Sequence, residues 1–317
     1  MTNTVRGLHH VTCIAGPAQE NLDFYAGVLG MRLVKRSVNQ DDPGTYHLFY
    51  ADGAGSPGTD LTFFPWAQMA PSREGYGLSN EVSLAVAPGS LVFWSARLQR
   101  AGVPLGKAKE RFGEHVLTLL DPHGLRVALV ESNDSLGRSF TPWNESPIPA
   151  EHQIRGLEGA RLSEASLPIT TSFLEGALGF QHLATEGEWH RYGVEGGKSG
   201  RYVDVREVPN APRGAWGTGS IHHLAWRVDD EAHQREVRAH VESGAHPTPV
   251  IDRFWFKSVY FKEPGGVLFE LATDGPGFAV DEDPAHLGET LVLPPWLEPQ
   301  RTTIESQLPR LTMPPRG

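Results

Sequence analysis

Cysteine is nearly absent from this 317-residue chain, and basic residues are outnumbered by acidic ones. The single cysteine, Cys13, excludes intramolecular disulfides and cysteine-rich zinc sites; it fits a reducing compartment, so we expect a cytoplasmic protein. Lys and Arg number 28 against 38 Asp and Glu, and the net charge of −10 argues against binding to nucleic acid or an anionic membrane surface. No apolar run approaches the ~18 residues of a membrane span. The segment Met1–Arg6 lacks the apolar core of a secretory signal.

Common catalytic motifs are also missing. The chain has neither the G-x-S-x-G elbow of serine hydrolases nor the H-E-x-x-H pattern of zinc proteases. Gly53–Gly58 matches a dinucleotide-binding fingerprint, but Pro57 interrupts it and a strand, not a helix, follows at Thr59–Phe64. We therefore predict a hairpin loop there. Any chemistry must come from residues that the fold brings together, and the 14 histidines are the obvious source of metal ligands.

A strand, a helix and further strands recur four times along the chain. The helices begin and end at residues typical of those positions, such as Pro17 and Gly30, with Ser90 and Asp229 predicted as N-caps. This order predicts an α+β fold of four βαβββ modules in two domains. The modules span roughly residues 5–66, 78–131, 153–209 and 219–273. We divide the chain into residues 1–150, with a linker at Asn133–Ala150, residues 151–277, and a C-terminal tail at residues 278–317.

Strand alternation indicates which side chains face a cleft. In the first and last modules the more apolar face should pack on the helix, which leaves His10 and His223 on the cleft face. Glu270 lies on the equivalent face of the last strand, where a carboxylate is costly unless it is paired or binds a metal. The repeat does not require these residues, because the equivalent positions elsewhere hold Glu81, Gly159 and Ala128.

Two imidazoles and one carboxylate form a facial triad suited to Fe(II) or Mn(II), with coordination positions left open. His10 can join His223 and Glu270 only if module one pairs with module four, and module two with module three. A second group, Glu81 with Asp204, would lack histidine and is expected to be vestigial or structural. As strand neighbours His9 and His222 should point away from the cleft, which favours a structural role, unless a bulge or strand end turns either ring toward it as a base.

Several stretches resemble the vicinal oxygen chelate superfamily, which includes glyoxalase I, bleomycin-resistance proteins and extradiol dioxygenases. Within it the chain is similar to the hydroquinone-cleaving dioxygenases. The matching stretches are Leu8–Thr12, Phe24–Gly30, Asp42–Tyr50, Ile221–Ala225, Pro264–Glu270 and Asp281–Pro284. The apolar run Phe254–Phe256 departs from the family pattern.

The resemblance implies Fe(II) held by His10, His223 and Glu270, and a small aromatic diphenol and O₂ as substrates. It also implies supporting roles at the metal centre for five further residues. These are His9, Thr12, His222, Arg253 and Tyr260. Of these, Tyr260 and Arg253 are the residues we expect to contact substrate or oxygen. The oligomeric state stays open, a homo-oligomer included.

Three functions remain open from the sequence. The first is an Fe(II) dioxygenase that cleaves a hydroquinone- or catechol-like ring. The second is a glyoxalase-type isomerase or lyase, but this chemistry typically uses two carboxylates, and module one offers Thr62 or Phe63 where the second would lie. The third is a non-catalytic ligand-binding resistance protein, which would lack the triad.

Overall fold

The protein is described by a computed structural model that covers residues 4–315. Four modules follow one another, each with one strand, one helix and three further strands. Module one contains β1 Leu8–Ala15, α1 Ala18–Leu22, which continues as a π-helix over Asp23–Val28, β2 Arg32–Asn39, β3 Asp42–Ala51 and β4 Asp60–Pro65. Module two contains β5 Leu78–Val86, α2 Leu91–Arg100, β6 Lys109–Arg111, β7 Glu114–Leu120 and β8 Arg126–Glu131. The predicted βαβββ repeat is therefore confirmed for the first half of the chain.

The second half repeats the same order. Module three contains β9 Gly156–Glu164, α3 Leu167–Leu178, β10 Gln181–Glu186, β11 Trp189–Gly193 and β12 Tyr202–Glu207. Module four contains β13 Ile221–Val228, α4 Glu231–Val241, β14 Ile251–Asp252, β15 Lys257–Lys262 and β16 Leu268–Thr273. The tail adds short turns and α5 Arg301–Gln307. Within residues 4–315, no helix has the length and apolar character needed to cross a membrane.

The helix ends follow the sequence with two corrections. Gly179 ends α3 in a left-handed conformation with φ of 75°, which glycine adopts without steric cost. The N-cap of α4 is Asp230, whose Oδ1 accepts from the backbone N–H of His233, so the prediction of Asp229 was one residue early. Ser90 precedes α2, but its hydroxyl contacts His152 and makes no hydrogen bond to the helix. Gly53–Gly58 lies in the loop between β3 and β4, as predicted.

The strands form two eight-stranded sheets. Their orders are β14-β15-β16-β13-β1-β4-β3-β2 and β10-β11-β12-β9-β5-β8-β7-β6. The first sheet joins module one to module four and the second joins module two to module three, which confirms the predicted pairing. In each sheet the two modules meet through one antiparallel ladder, β1 with β13 and β5 with β9. Each sheet thus draws on both halves of the chain, while the division at residue 150 stays a prediction.

The apolar faces lie where alternation predicts them. Val11, Cys13, Leu224, Trp226 and Val228 are all buried in the main hydrophobic core. The opposite face of the β1–β13 ladder carries His10 and His223. Burial of one face fixes the register of these strands, because a slip by one residue would exchange the two faces.

The β1–β13 ladder contains two bulges. Leu8 pairs with Trp226 and His10 with Ala225, so His9 is an extra residue in β1. At the other end Thr12 pairs with His223 and Cys13 with Ile221, so His222 is an extra residue in β13. A bulge bends the strand and redirects the side chain of the extra residue. Both bulges adjoin a histidine of the predicted triad.

Candidate metal centre

Three buried side chains from three neighbouring strands converge in the first sheet. His10 lies on β1, His223 on β13 and Glu270 on β16, and none is more than 3% exposed. Nε2 of His10 lies 3.3 Å from Nε2 of His223. Oε2 of Glu270 lies 3.2 Å from the first nitrogen and 2.9 Å from the second. Within residues 4–315, these are the one group of three His, Cys, Asp or Glu side chains whose ligand atoms approach so closely.

The spacing and the electrostatics fit a divalent metal ion. Ligand atoms about 2.1 Å from one ion and at right angles to each other lie about 3 Å apart, which agrees with these three separations. Oε2 of Glu270 is buried and accepts no hydrogen bond from the described residues, although two imidazoles lie beside it. Burial opposes ionisation of Glu270, but His10 and His223 hold the pKa of its carboxyl well below the usual value. The group therefore offers an anionic oxygen and two imidazole nitrogens to one cation.

Each triad histidine is oriented by the histidine that precedes it. Nδ1 of His9 lies 2.9 Å from Nδ1 of His10, and Nδ1 of His222 lies 2.8 Å from Nδ1 of His223. If Nε2 of a triad histidine keeps its lone pair for a metal, its Nδ1 carries the proton and donates to the preceding ring. Burial lowers the pKa of His222 to about 3, so that ring stays neutral and can accept this bond.

His9 and His222 follow the bulge alternative that the sequence left open, although neither ring lines the cavity beside the triad. Strict alternation would place them on the helix face, but each is the extra residue of a bulge, which lets its ring reach the next side chain. The sequence contained the two His-His pairs but no signal for the bulges. Both rings pack against aromatic neighbours, His9 against Phe256 and His222 on the indole of Trp216.

The carboxylate is held by a residue that the sequence reading missed. The hydroxyl of Ser258 on β15 donates to Oε1 of Glu270, and both side chains are fully buried. This bond leaves Oε2 directed at the two imidazoles. A serine in a strand carries no distinctive sequence signal, and only the pairing of β15 with β16 brings it beside the carboxylate.

A small cavity of about 40 Å³ adjoins the triad. Tyr260 and Arg253 both line it, as expected for residues that contact substrate. The guanidinium of Arg253 lies 5.4 Å from the centre of the Tyr260 ring and also pairs with Asp41 at 2.7 Å. Burial raises the pKa of Tyr260, so its hydroxyl stays protonated and able to donate. The apolar part of the wall comes from Phe49, Phe64, Trp255 and Phe256.

His47 is a second cavity residue that the sequence reading missed. Thr12 does not line the cavity; its hydroxyl lies 2.8 Å from that of Thr62, which lies 2.9 Å from Nε2 of His47. Nδ1 of His47 makes no hydrogen bond to a described residue and is accessible from the cavity that the ring lines. Burial lowers the pKa of His47, so its ring is neutral. His47 lies on β3, whereas the comparison of the repeats covered only the first and last strands of each module and therefore did not include it.

The chain belongs to the Glyoxalase/Bleomycin resistance protein/Dioxygenase superfamily, whose model matches residues 7–129. MhqO of Bacillus subtilis (strain 168), provisionally named a ring-cleaving dioxygenase, is 43% identical over 309 residues, which cover 97% of each chain. The chlorohydroquinone/hydroquinone 1,2-dioxygenase of Sphingobium indicum is 33% identical over 302 residues, or 93% of each chain. The resemblance inferred from the sequence is thereby confirmed.

Solved structures agree on the fold. A crystal structure of a provisionally named dioxygenase from Bacillus subtilis has a TM-score of 0.91 at 41% identity and covers 99% of each chain. Glyoxalase I from Zea mays has a TM-score of 0.63 at 15% identity, with 84% of this chain and 92% of that one covered. At this low identity the maize enzyme supports the two-domain fold and no more.

Proposed function

We propose that the chain is an Fe(II)-dependent ring-cleaving dioxygenase of the extradiol type, which inserts both atoms of O₂ into a hydroquinone- or catechol-like ring. The observation that carries the proposal is the buried group of His10, His223 and Glu270 beside a cavity. Two imidazoles and a carboxylate leave about three positions of an octahedral ion free for other ligands. The names of the full-length relatives support the same reaction class.

The cavity residues would divide the work of binding and proton control. A bound Fe(II) ion would supply the redox chemistry and the open positions that O₂ and a phenolate need. The guanidinium of Arg253 would stabilise the negative charge of a deprotonated diphenol. The hydroxyl of Tyr260 would donate a hydrogen bond to an oxygen of the substrate. His9 and His222 would fix the orientation of the triad imidazoles rather than act as bases, and Thr12 would support His47 through Thr62.

The strand register argues against a glyoxalase-type isomerase. Ala225 on β13 pairs with Glu270 on β16, and the equivalent pair in module one is Thr12 with Thr62. A threonine therefore occupies the position where a second carboxylate would be needed.

A protein that only sequesters ligands would have no use for a buried carboxylate with an unpartnered oxygen. Mn(II) would suit the same ligands, and the choice between the metals is part of the test.

Oxygen uptake and product analysis test this proposal. Protein loaded anaerobically with Fe(II) or Mn(II) is mixed with hydroquinone, catechol and substituted diphenols in an oxygen electrode. We expect one O₂ consumed per ring and, with ¹⁸O₂, two labelled atoms in a ring-opened acid. His223→Ala should lose bound metal and activity, whereas His246→Ala, at an exposed histidine, should keep both. Release of an uncleaved quinone, or unchanged metal content in His223→Ala, would contradict the proposal.

A cytoplasmic location remains a proposal that rests on the reducing character suggested by a single buried cysteine. A homo-oligomer likewise stays a prediction. Light scattering of the purified chain would decide the second.

A further inference from the structure

The second sheet has its own cleft at the position equivalent to the metal centre. We call it the second cleft, and it is a cavity of about 580 Å³. Glu81 on β5 takes the place of His10, and Ala128 on β8 takes the place of Glu270. Gly159 takes the place of His223, and a side chain there would collide with the ring of Tyr202. The second cleft therefore lacks the ligand set of the metal centre.

The carboxylates in and beside the second cleft form ion pairs with arginines. Both guanidinium Nη atoms of Arg111 donate to Glu81. Glu188, the other carboxylate that lines the cavity, accepts from Arg206 at 2.9 Å. Asp204 on β12, beside the cavity, accepts from Nε of Arg191 at 2.8 Å. These pairs leave none of the three carboxylates free for a cation, so Glu81 and Asp204 remain predicted to be vestigial or structural.

The second cleft contains more positive charge than its carboxylates balance. Arg161 on β9 is only 8% exposed, yet its one side-chain hydrogen bond within residues 4–315 is a long contact of 3.4 Å from Nε to Asp204. The same Nε lies 3.8 Å from Oε1 of Glu81, which is itself paired with Arg111. The guanidinium of Arg161 lies 4.2 Å from the centre of the Trp189 ring. Its two Nη atoms make no hydrogen bond to a described residue and are accessible from the cavity that the side chain lines. Lys109 also lines the cavity and has no ion pair with any described residue.

The pKa values of Arg161 and Lys109 are lowered, as this excess of positive charge would require. Burial is the main cause and the neighbouring Arg111 the next, whereas Glu81 and, for Arg161, Asp204 oppose the shift. Nε of Arg111 is itself buried without a hydrogen-bond partner in the described chain. An anion in the cavity would satisfy donors that are otherwise unused, and a buried unpaired donor is costly.

We propose that the second cleft binds a small organic carboxylate, whose anionic group is held by Arg161 and Lys109. A planar guanidinium with two free Nη atoms matches a carboxylate in a bidentate arrangement. Pro104, Leu105 and Leu119 line the same cavity and provide an apolar wall for the hydrocarbon part of the ligand. The site shares no residue with the metal centre, so it does not depend on the proposed reaction.

Calorimetric titration with benzoate tests this site in the full-length chain. Benzoate combines one carboxylate with a flat apolar ring, and neutral benzamide is the matched probe without the charge. We expect saturable binding of benzoate with a dissociation constant of about 1 mM or below, and none of benzamide in that range. Inorganic phosphate, which lacks the apolar part, should bind at least about tenfold more weakly.

Two variants and one control locate the binding. Lys109→Gln changes an exposed side chain and should weaken benzoate binding several-fold, while Arg161→Gln should weaken it about tenfold or more. Lys107→Gln alters an exposed lysine two residues away that does not line the cavity, and should have no effect. Equal affinity in wild type, Lys109→Gln and Arg161→Gln would place benzoate elsewhere and overturn the proposal, as would the absence of saturable binding. If Arg161→Gln fails to fold, Lys109→Gln decides the question.

Discussion

Ser258 provides a direct test of how the metal centre is built. Its hydroxyl is fully buried and donates to Oε1 of Glu270, while Oε2 faces the two imidazoles. Ser258→Ala removes this donor without adding volume or charge. The carboxylate of Glu270 then loses one of the contacts that fix its rotation, in a region that water does not reach. We expect the variant to fold and to bind metal more weakly.

The size of the effect follows from the bond that is lost. A hydrogen bond to a charged acceptor contributes about 1.5–3 kcal/mol. That free energy corresponds to roughly a 10- to 150-fold change in an equilibrium constant. Loss of a group that orients a metal ligand typically reduces metal affinity about 10- to 100-fold, which agrees. We therefore expect metal affinity to fall by about 10- to 100-fold in Ser258→Ala.

The assay is an anaerobic titration of metal-free protein with Fe(II) or Mn(II) against a chelator of known affinity. Thermal unfolding of the metal-free variant separates weaker metal binding from a general loss of stability. Ser79→Ala is the control, because Ser79 is a buried serine of the second sheet whose hydroxyl donates to a backbone carbonyl. A change in metal affinity of less than about twofold in Ser258→Ala would refute the argument that this bond orients the ligand.

Three further changes test other parts of the molecule. Tyr260→Phe should keep its metal and lower kcat about 100-fold, because the donated hydrogen bond is lost; an unchanged kcat would exclude Tyr260 from the reaction. His47→Gln can still contact Thr62 and should lower kcat/KM about tenfold at normal metal content, whereas an equal kcat/KM would show that the ring does not meet substrate. Burial and the nearby Glu263 raise the pKa of Glu164 to about 9, so the folded chain retains a proton that the unfolded chain loses above its ordinary value of 4.5. Stability should therefore fall as pH rises between these values, and Glu164→Gln should gain up to about 3 kcal/mol in urea unfolding at pH 7, with no gain at pH 4.

The triad could be proposed from the sequence because the chain carries its own comparison. Modules two and three show what the fold needs at the equivalent positions, and His10, His223 and Glu270 stand out against Glu81 and Gly159. The pairing of module one with module four followed from the same residues, because no other pairing brings His10 to His223 and Glu270. Comparison of equivalent positions in the four modules therefore distinguished the ligands from the residues that the fold requires.

The supporting residues could not be predicted in the same way. The bulges at His9 and His222 depend on how β1 pairs with β13, and nothing local in either strand marks an extra residue. Ser258 and His47 reach the centre through the pairing of neighbouring strands, so each looks ordinary in its own segment. Contacts that depend on strand register can be recognised only in the three-dimensional structure, whereas a charged residue in an apolar strand is visible in the sequence alone.

The separation of the ligands along the chain has a consequence for biosynthesis. His10 and His223 are 213 positions apart, although β1 and β13 are neighbours in the sheet. At about 5–20 residues per second, a ribosome needs roughly 10–40 seconds to make the intervening chain. During that time β1 lacks the strand that will cover one of its edges, and an uncovered edge invites pairing with other chains. Modules two and three, which are contiguous, can assemble first, and metal uptake must wait until the last module leaves the ribosome.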